Sequence, residues 1–201
     1  MADLFEEKAK DWDASEKKTN LASSISASIL EHVQLNNQMT VLDFGAGTGL
    51  ISSHLAPKVH RITAVDTSRA MLEKLAAKQE LKDRIDIACQ DITETPLDAR
   101  FDLIVSAMAM HHVEDTARLL QSFRDHLNDA GELALADLDT EAGDFHPPET
   151  EGVYHFGFDR EALGELLEQQ GFTQVEFFTA HLFKGDTKDY PIFLVTAKKA
   201  Y

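Results

Sequence analysis

The sequence predicts an α/β domain built on a doubly wound, mostly parallel sheet. Strand-length apolar runs alternate with amphipathic helical stripes from about residue 39 to residue 137. The first of those runs empties into a glycine-rich turn and then a helix. The chain closes on a helix and two β-rich runs with a short join, which predicts an antiparallel hairpin at the end of the sheet. Alternation of this kind implies a parallel sheet covered on both faces.

Each element follows from local pattern. Leu21, Ala22, Ile25, Ile29, Leu30 and Val33 form a helical stripe over 19–33. Met39–Asp43 reads as a buried strand, and a helix runs from about Leu50 to Ala56. Arg61–Val65 is the second strand, followed by a helix from Ser68 through Lys78. Arg84–Cys89 and Phe101–Ser106 are the third and fourth strands, and a helix spans Val113–Leu127. Gly131–Asp137 is the fifth strand. Asp159 caps a helix through Gln170 that Gly171 stops. Thr173–Phe183 and Tyr190–Lys198 form the hairpin, joined at Lys184-Gly185-Asp186. Residues 138–157 show no periodicity but hold Phe145, Tyr154, Phe156, His146 and His155. A structureless stretch longer than ~12–15 residues is usually functional or disordered, and its aromatic content favours a functional cover.

A length of 201 residues corresponds to one domain, with 1–35 as an N-terminal helical lid segment and 138–157 as an acceptor-side loop. Hydrophobic residues at 43% and charged residues at 27% are globular proportions. No apolar run reaches the ~18 residues of a membrane span. The charged stretch 1–18 predicts no signal peptide, so a cytoplasmic location is expected. The single cysteine, Cys89, excludes an intramolecular disulfide and a cysteine-only zinc site, and is expected to be a small core residue. The balance of 19 basic against 35 acidic residues gives −16 and argues against nucleic acid or an anionic membrane as partner. Neutral or cationic small ligands suit that field better.

Val41-Leu-Asp-Phe-Gly-Ala-Gly-Thr-Gly-Leu50 is the strongest signal. A strand running into closely spaced glycines and a helix lets backbone approach a nucleotide-like ligand. The dinucleotide fingerprint places a glycine where Leu50 stands, and Gly49 comes one residue early. Asp43, two residues before Gly45, suits a cationic ligand better than a pyrophosphate. Both features speak against a nicotinamide-dependent reductase. Asp66 ends the second strand 17 positions after Gly49, close to the ~20-residue offset of a ribose-binding acid. Its alternative role is capping the helix near Ser68. Asp91 follows the third strand, placed to meet an adenine amino group while Ile92 packs on the ring; its alternative is a solvated turn aspartate.

Taken together, Asp43-x-Gly45-x-Gly47-x-Gly49, Asp66, Asp91 and Phe101-Asp-Leu-Ile-Val-Ser106 resemble the class I S-adenosylmethionine-dependent methyltransferase family, from about Met39 to Lys198. The resemblance implies a Rossmann-like, doubly wound, seven-stranded sheet whose last strand runs antiparallel, as the terminal hairpin independently suggests. It implies S-adenosyl-L-methionine as cofactor. Gly45, Ala46, Gly47 and Gly49 would cradle its methionine portion and Asp43 would face its ammonium. Asp66 would take the ribose hydroxyls, with Thr67 and Met71 near the adenine edge and Asp91 and Ile92 holding adenine. Ala107 and Met108 would line the sulfonium side, and Trp12 would fold over the cofactor or else pack on the sheet edge. Ser106-Ala-Met-Ala109 replaces the Asn/Asp-Pro-Pro-Tyr/Phe of many amino- and amide-nitrogen methyltransferases. Ala109-Met-His-His-Val-Glu-Asp115 is similar instead to the small-molecule branch, including quinone-biosynthesis methyltransferases.

Methyl transfer is an in-line displacement, so the protein mainly positions the reactants and excludes water. His111 and His112 are the candidate general bases, and adjacent positions imply that at most one faces the site. Asp137, His146, Tyr154 and His155 are candidate acceptor-side residues, although Asp137 and Asp139 also fit a loop-anchoring role. The four histidines could converge with either aspartate, but no His-x-x-x-His spacing accompanies them, so no metal is expected. The expected function is methyl transfer to a small-molecule acceptor. The rival is a non-catalytic S-adenosylmethionine or S-adenosylhomocysteine binder that regulates a partner. Neither acceptor identity nor oligomeric state is legible.

Overall fold

A computed structural model describes residues 3–185 and 188–200. Strands β1 (Thr40–Phe44), β2 (Arg61–Asp66), β3 (Ile85–Cys89), β4 (Phe101–Ala107), β5 (Leu127–Leu138), β6 (Phe172–Lys184) and β7 (Asp189–Lys199) form one sheet in the order β3-β2-β1-β4-β5-β7-β6. β1 to β5 pair in parallel, while β7 runs antiparallel to both β5 and β6. The terminal hairpin is therefore as the sequence predicts, though Asp186 of its join lies outside the described residues.

Adjacent residues of the central strands are buried on opposite faces. Val41, Leu103, Ala134 and Leu194 join one core with Ile25 and Ile29 of α2 (Glu16–His32) and Leu55 of α3 (Leu50–Leu55). Leu42, Ile104, Leu135 and Phe193 join the other core with Phe123 of α5 (Thr116–His126) and Leu167 of α6 (Arg160–Gln169). A period of two with both faces covered is why these strands read as unbroken apolar runs. The strand order reverses between β1 and β4, which opens a crevice at their carboxyl ends. Two short helices flank that crevice, α1 (Glu6–Ala9) and α4 (Arg69–Ala76).

Several boundaries move for local reasons. α5 starts at Thr116, not 113, because Asp115 accepts the Arg118 N–H at 2.9 Å and residues 110–112 form a separate 3-10 turn. α2 starts at Glu16, and its apolar face packs into the core, while its first turns line the cleft together with the segment before it. β5 begins at Leu127, four residues before Gly131. Residues 139–158 form an ordered loop closed by an Asp139–Phe158 bridge. Arg160 locks it by donating to both Asp139 oxygens at 2.7 and 2.8 Å. Asp139 thus anchors the loop. Among the described residues no helix is long and apolar enough to cross a membrane.

Asp159 caps α6 by accepting the Ala162 N–H at 2.9 Å, and Gly171 ends it at φ +83°. Asp159→Ala is expected to lower stability by about 1 kcal/mol, the usual size of a lost cap. Urea unfolding reads this as a lower midpoint at unchanged slope, and an unmoved midpoint would show the cap to be idle.

Candidate active site

A cleft of about 1400 Å³ lies at the carboxyl ends of the parallel strands. The β1–α3 turn forms one wall. Gly45, Gly47 and Gly49 all have positive φ, at 67°, 54° and 80°. A Cβ on Gly45 would sit 2.3 Å from the Ala109 Cβ, so that glycine permits the turn to pack on the β4 loop. A Cβ on Gly47 would meet nothing within 4 Å, although Gly47 lines the cleft. Gly49 caps α3 and packs on Leu75; it and Ile92, which is buried in the α5–α6 core, fall outside the cleft lining. These two positions correct the expectation of direct ligand contact.

Two carboxylates organise the turn. Asp66 Oδ2 accepts the Gly47 N–H and Oδ1 accepts the Ser68 N–H, both at 2.8 Å. The cap of α4 belongs to Ser68, whose hydroxyl accepts the Met71 N–H at 3.2 Å. Asp43 is buried and accepts the Ser52 hydroxyl at 2.6 Å. Burial raises its pKa to about 7, with the nearby Asp66 charge adding to the rise and Ser52 opposing it. Burial also raises Asp66, against its backbone hydrogen bonds. Thr67, Met71, Ala46, Ala107 and Met108 line the cleft, and Met108 holds an uncommon φ of 57°. Asp91 lies at its margin, with Oδ1 taken by the Thr93 N–H and hydroxyl at 2.8 and 2.7 Å. Cys89 is exposed beside it, not in the core as expected.

The opposite end is built from histidines. Asp137 is fully buried and does not line the cleft; its Oδ1 accepts the His111 Nδ1–H at 2.7 Å and its Oδ2 accepts the His111 backbone N–H at 3.2 Å. Its side chain reaches the cleft lining only through these bonds to His111, which corrects its placement on the acceptor side. His112 Nδ1–H donates to the Gly152 carbonyl at 2.6 Å. His146 Nε2 lies 3.1 Å from His111 Nε2. His111, His112 and His146 all line the cleft, so the expectation that at most one of the adjacent pair faces it is overturned. Both sit in the 3-10 turn at 110–112, with ring centres 4.2 Å apart. Burial and the neighbouring His111 push His112 and His146 down to about 4. His155 points away, donating from Nε2 to the Val113 carbonyl at 2.9 Å, and it pins the loop instead of lining the acceptor side. Tyr154 stands exposed at the rim.

The N-terminal segment crosses the cleft. Asp3 accepts from the Ser68 hydroxyl at 2.9 Å and the Ala70 N–H at 3.2 Å. Asp13 pairs with Lys78 at 2.8 Å and accepts from the Thr48 hydroxyl. Between them, Phe5 meets Trp12 edge-on at 6.2 Å and His112 at 5.4 Å, and the Lys18 ammonium lies 3.5 Å from the Trp12 ring centre. Phe5 and Phe183 are lining residues that sequence reasoning missed; an isolated phenylalanine carries no signal that separates a lid from a core. Trp12 does lie on the cleft.

Fold and cleft together have the form of a nucleoside-cofactor enzyme. Residues 18–176 match the family model of the methyltransferase domain, and the chain belongs to the class I S-adenosylmethionine-dependent methyltransferase family. It is 31% identical over 155 residues to an uncharacterised methyltransferase of Schizosaccharomyces pombe, covering 69% of this chain and 55% of that protein. It is 30% identical over 137 residues to the malonyl-[acyl-carrier protein] O-methyltransferase of Priestia megaterium, covering 66% of this chain and 48% of that one. The chain thus spans about half the length of these curated relatives. The fold matches the putative methyltransferase solved in complex with the Haloferax volcanii Trm112 activator, at a TM-score of 0.83, 17% identity and 100% of both chains. It also matches the N-methyltransferase NodS of Bradyrhizobium japonicum, solved with S-adenosylhomocysteine, at 0.75, 18% identity and 99% and 95% coverage. The cleft fits the family's cofactor: the open space at Gly47 is a cradle that a side chain would fill, and a buried carboxylate stands behind it.

Proposed function

We propose that this chain transfers a methyl group from S-adenosylmethionine to a small-molecule acceptor bound beside His111, His112 and His146. The observation that carries the reading is one continuous cleft joining Asp66 and the glycine turn to the three histidines. When bound, the cofactor supplies an electrophilic methyl group on a good, neutral leaving group. Gly45, Ala46 and Gly47 cradle its methionine portion, and Asp43 faces its ammonium. Asp66 takes the ribose hydroxyls, with Thr67, Met71 and Asp91 about the adenine. Ala107 and Met108 line the reacting side, while Phe5 and Trp12 keep water out. His111 and His112 are the catalytic pair. Their Nδ1 atoms are committed to Asp137 and Gly152, and His111 Nε2 meets His146 Nε2 at 3.1 Å, so the second ring nitrogen of His112 is the one left to draw a proton from the acceptor. The Tyr154 and His155 N–H groups both donate to the His111 carbonyl, at 3.0 and 3.2 Å. A non-catalytic binder would not need the loop fastened to that histidine, which favours the enzyme.

Asp43 gives the reading a pH signature. Its folded-state value of about 7 lies above the ordinary carboxylate range, so its contribution to stability falls away as pH rises through that value. A neighbouring ammonium favours the carboxylate and lowers that value on binding. Affinity for S-adenosylmethionine is therefore expected to rise from about pH 5.5 to about pH 7.5, and Asp43→Asn to flatten the rise. A flat profile in the parent chain would remove Asp43 from the ammonium site. The test of the whole reading is calorimetric titration with S-adenosylmethionine, S-adenosylhomocysteine and NADH. The first two are expected to bind, and binding of NADH alone would overturn the reading. Release of S-adenosylhomocysteine with a panel of thiols, phenols and amines then tests the acceptor half.

A further inference from the structure

We infer that His111, His112 and His146 form a binding site for one divalent transition ion of the zinc class, open on its fourth side to the acceptor end of the cleft. The three residues offer ring nitrogens that all lie within 4.8 Å of one another. A tetrahedral ion with Zn–N bonds of about 2.0–2.1 Å sets its ligand nitrogens about 3.3 Å apart. His111 Nε2 and His146 Nε2 are already 3.1 Å apart. The remaining separations lie within 4.8 Å, so rotation of the rings about their side-chain bonds is what closure requires.

What distinguishes this cluster from a chance meeting of imidazoles is the layer behind it. A ligating histidine is oriented when its other nitrogen donates to a carboxylate or a backbone carbonyl. Here His111 does the first, to Asp137, and His112 does the second, to Gly152. Both hydrogen bonds fix the tautomer that leaves the other ring nitrogen unprotonated. His146 is held from behind as well, because Phe145 packs edge-on against its ring at 4.9 Å and against Phe183 and Tyr190 at 5.3 and 5.2 Å. Three imidazoles with an open position suit zinc, cobalt or nickel and do not suit magnesium or calcium, which take oxygen ligands.

The role of the ion rests on the methyltransferase reading, whereas its binding rests on the histidines alone; with the ion bound the histidines serve as ligands, and activation of the acceptor by the ion replaces proton removal by a ring nitrogen. An acceptor thiol or hydroxyl that joins the ion releases its proton to water, as coordinated thiols do. Its lone pair then forms the bond to the methyl carbon while the sulfonium–carbon bond breaks, and that electron pair stays on the departing neutral sulfur. Thiols and acidic hydroxyls are the acceptor class this predicts.

The test uses the whole chain, stripped with a chelator and titrated with cobalt(II) and with zinc(II) against a chromophoric competitor. One ion per chain is expected, with the visible spectrum of tetrahedral cobalt. His146→Ala is expected to lose stoichiometric binding. Asp137→Asn, which leaves every ligand in place, is expected to weaken zinc by about 10–100-fold. Absence of stoichiometric binding in the parent chain, or binding undiminished by His146→Ala, would overturn the site. Calorimetry with S-adenosylhomocysteine runs alongside. His146→Ala should keep that ligand, and Asp66→Ala should weaken it about tenfold to a hundredfold while still taking cobalt, so the ion site and the cofactor site fail independently. Adding 2-mercaptoethanol to the cobalt form should produce a sulfur-to-metal charge-transfer band, and no change would overturn a thiol acceptor.

Discussion

Asp66→Ala is expected to weaken S-adenosylmethionine and S-adenosylhomocysteine alike, by about tenfold to a hundredfold. A carboxylate offers about four lone-pair positions. The Gly47 and Ser68 N–H groups occupy one on each oxygen, so each oxygen keeps one position for a ribose hydroxyl. A hydrogen bond to a charged group contributes about 1.5–3 kcal/mol, and each 1.4 kcal/mol is tenfold in affinity. The variant also releases the glycine turn by removing the acceptor for Gly47. Folding should survive, because burial already disfavours the charge that is removed. Asp66→Asn keeps the shape and one acceptor and should fall between the two. Calorimetry decides, and an unchanged dissociation constant in Asp66→Ala would end the ribose assignment.

Gly45→Ala and Gly47→Ala should fail in different ways. At Gly45 the new Cβ lands 2.3 Å from the Ala109 Cβ with φ at +67°, so the backbone must shift. Left-handed backbone costs an L-residue about 1–2 kcal/mol and overpacking about 1–3 more, a large part of a typical stability of about 5–15 kcal/mol. At Gly47 the strain is similar at φ +54° but nothing lies within 4 Å. That variant should fold with a modest loss and lose cofactor affinity, because the methyl group occupies the cradle. Denaturant midpoints and calorimetry separate the two effects. A Gly47→Ala chain that binds as tightly as its parent would show that no ligand approaches there.

Residues that act through their own strand end were readable in advance. Asp43, Gly45, Gly47 and Asp66 stand at or just past the carboxyl ends of β1 and β2, and the parallel register of those strands sets them side by side. Ile92 and Gly49 were misplaced because a position three to five residues beyond a strand can face the cleft or the core. Backbone torsions decide which, and spacing does not encode them. Cys89 was misplaced for a different reason. β3 is an edge strand, and Ile87 and Cys89, which read as core, are both exposed on it.

The sequence by itself determined the doubly wound sheet, its reversed last strand and the acid–glycine end of the cleft. Strand periodicity, helix caps and short-range spacing act within some twenty residues, which is the range over which pattern constrains geometry. Only the tertiary structure decided the histidine end. His111 and His112 gain their orientation from Asp137 and Gly152, and His146 arrives on a loop whose course is set by Arg160 and Asp139. The lid is settled the same way, by Asp3 on Ser68 and Asp13 on Lys78 across 65 residues of chain in each case. Such contacts are chosen by the packing of whole elements, and no local period records them.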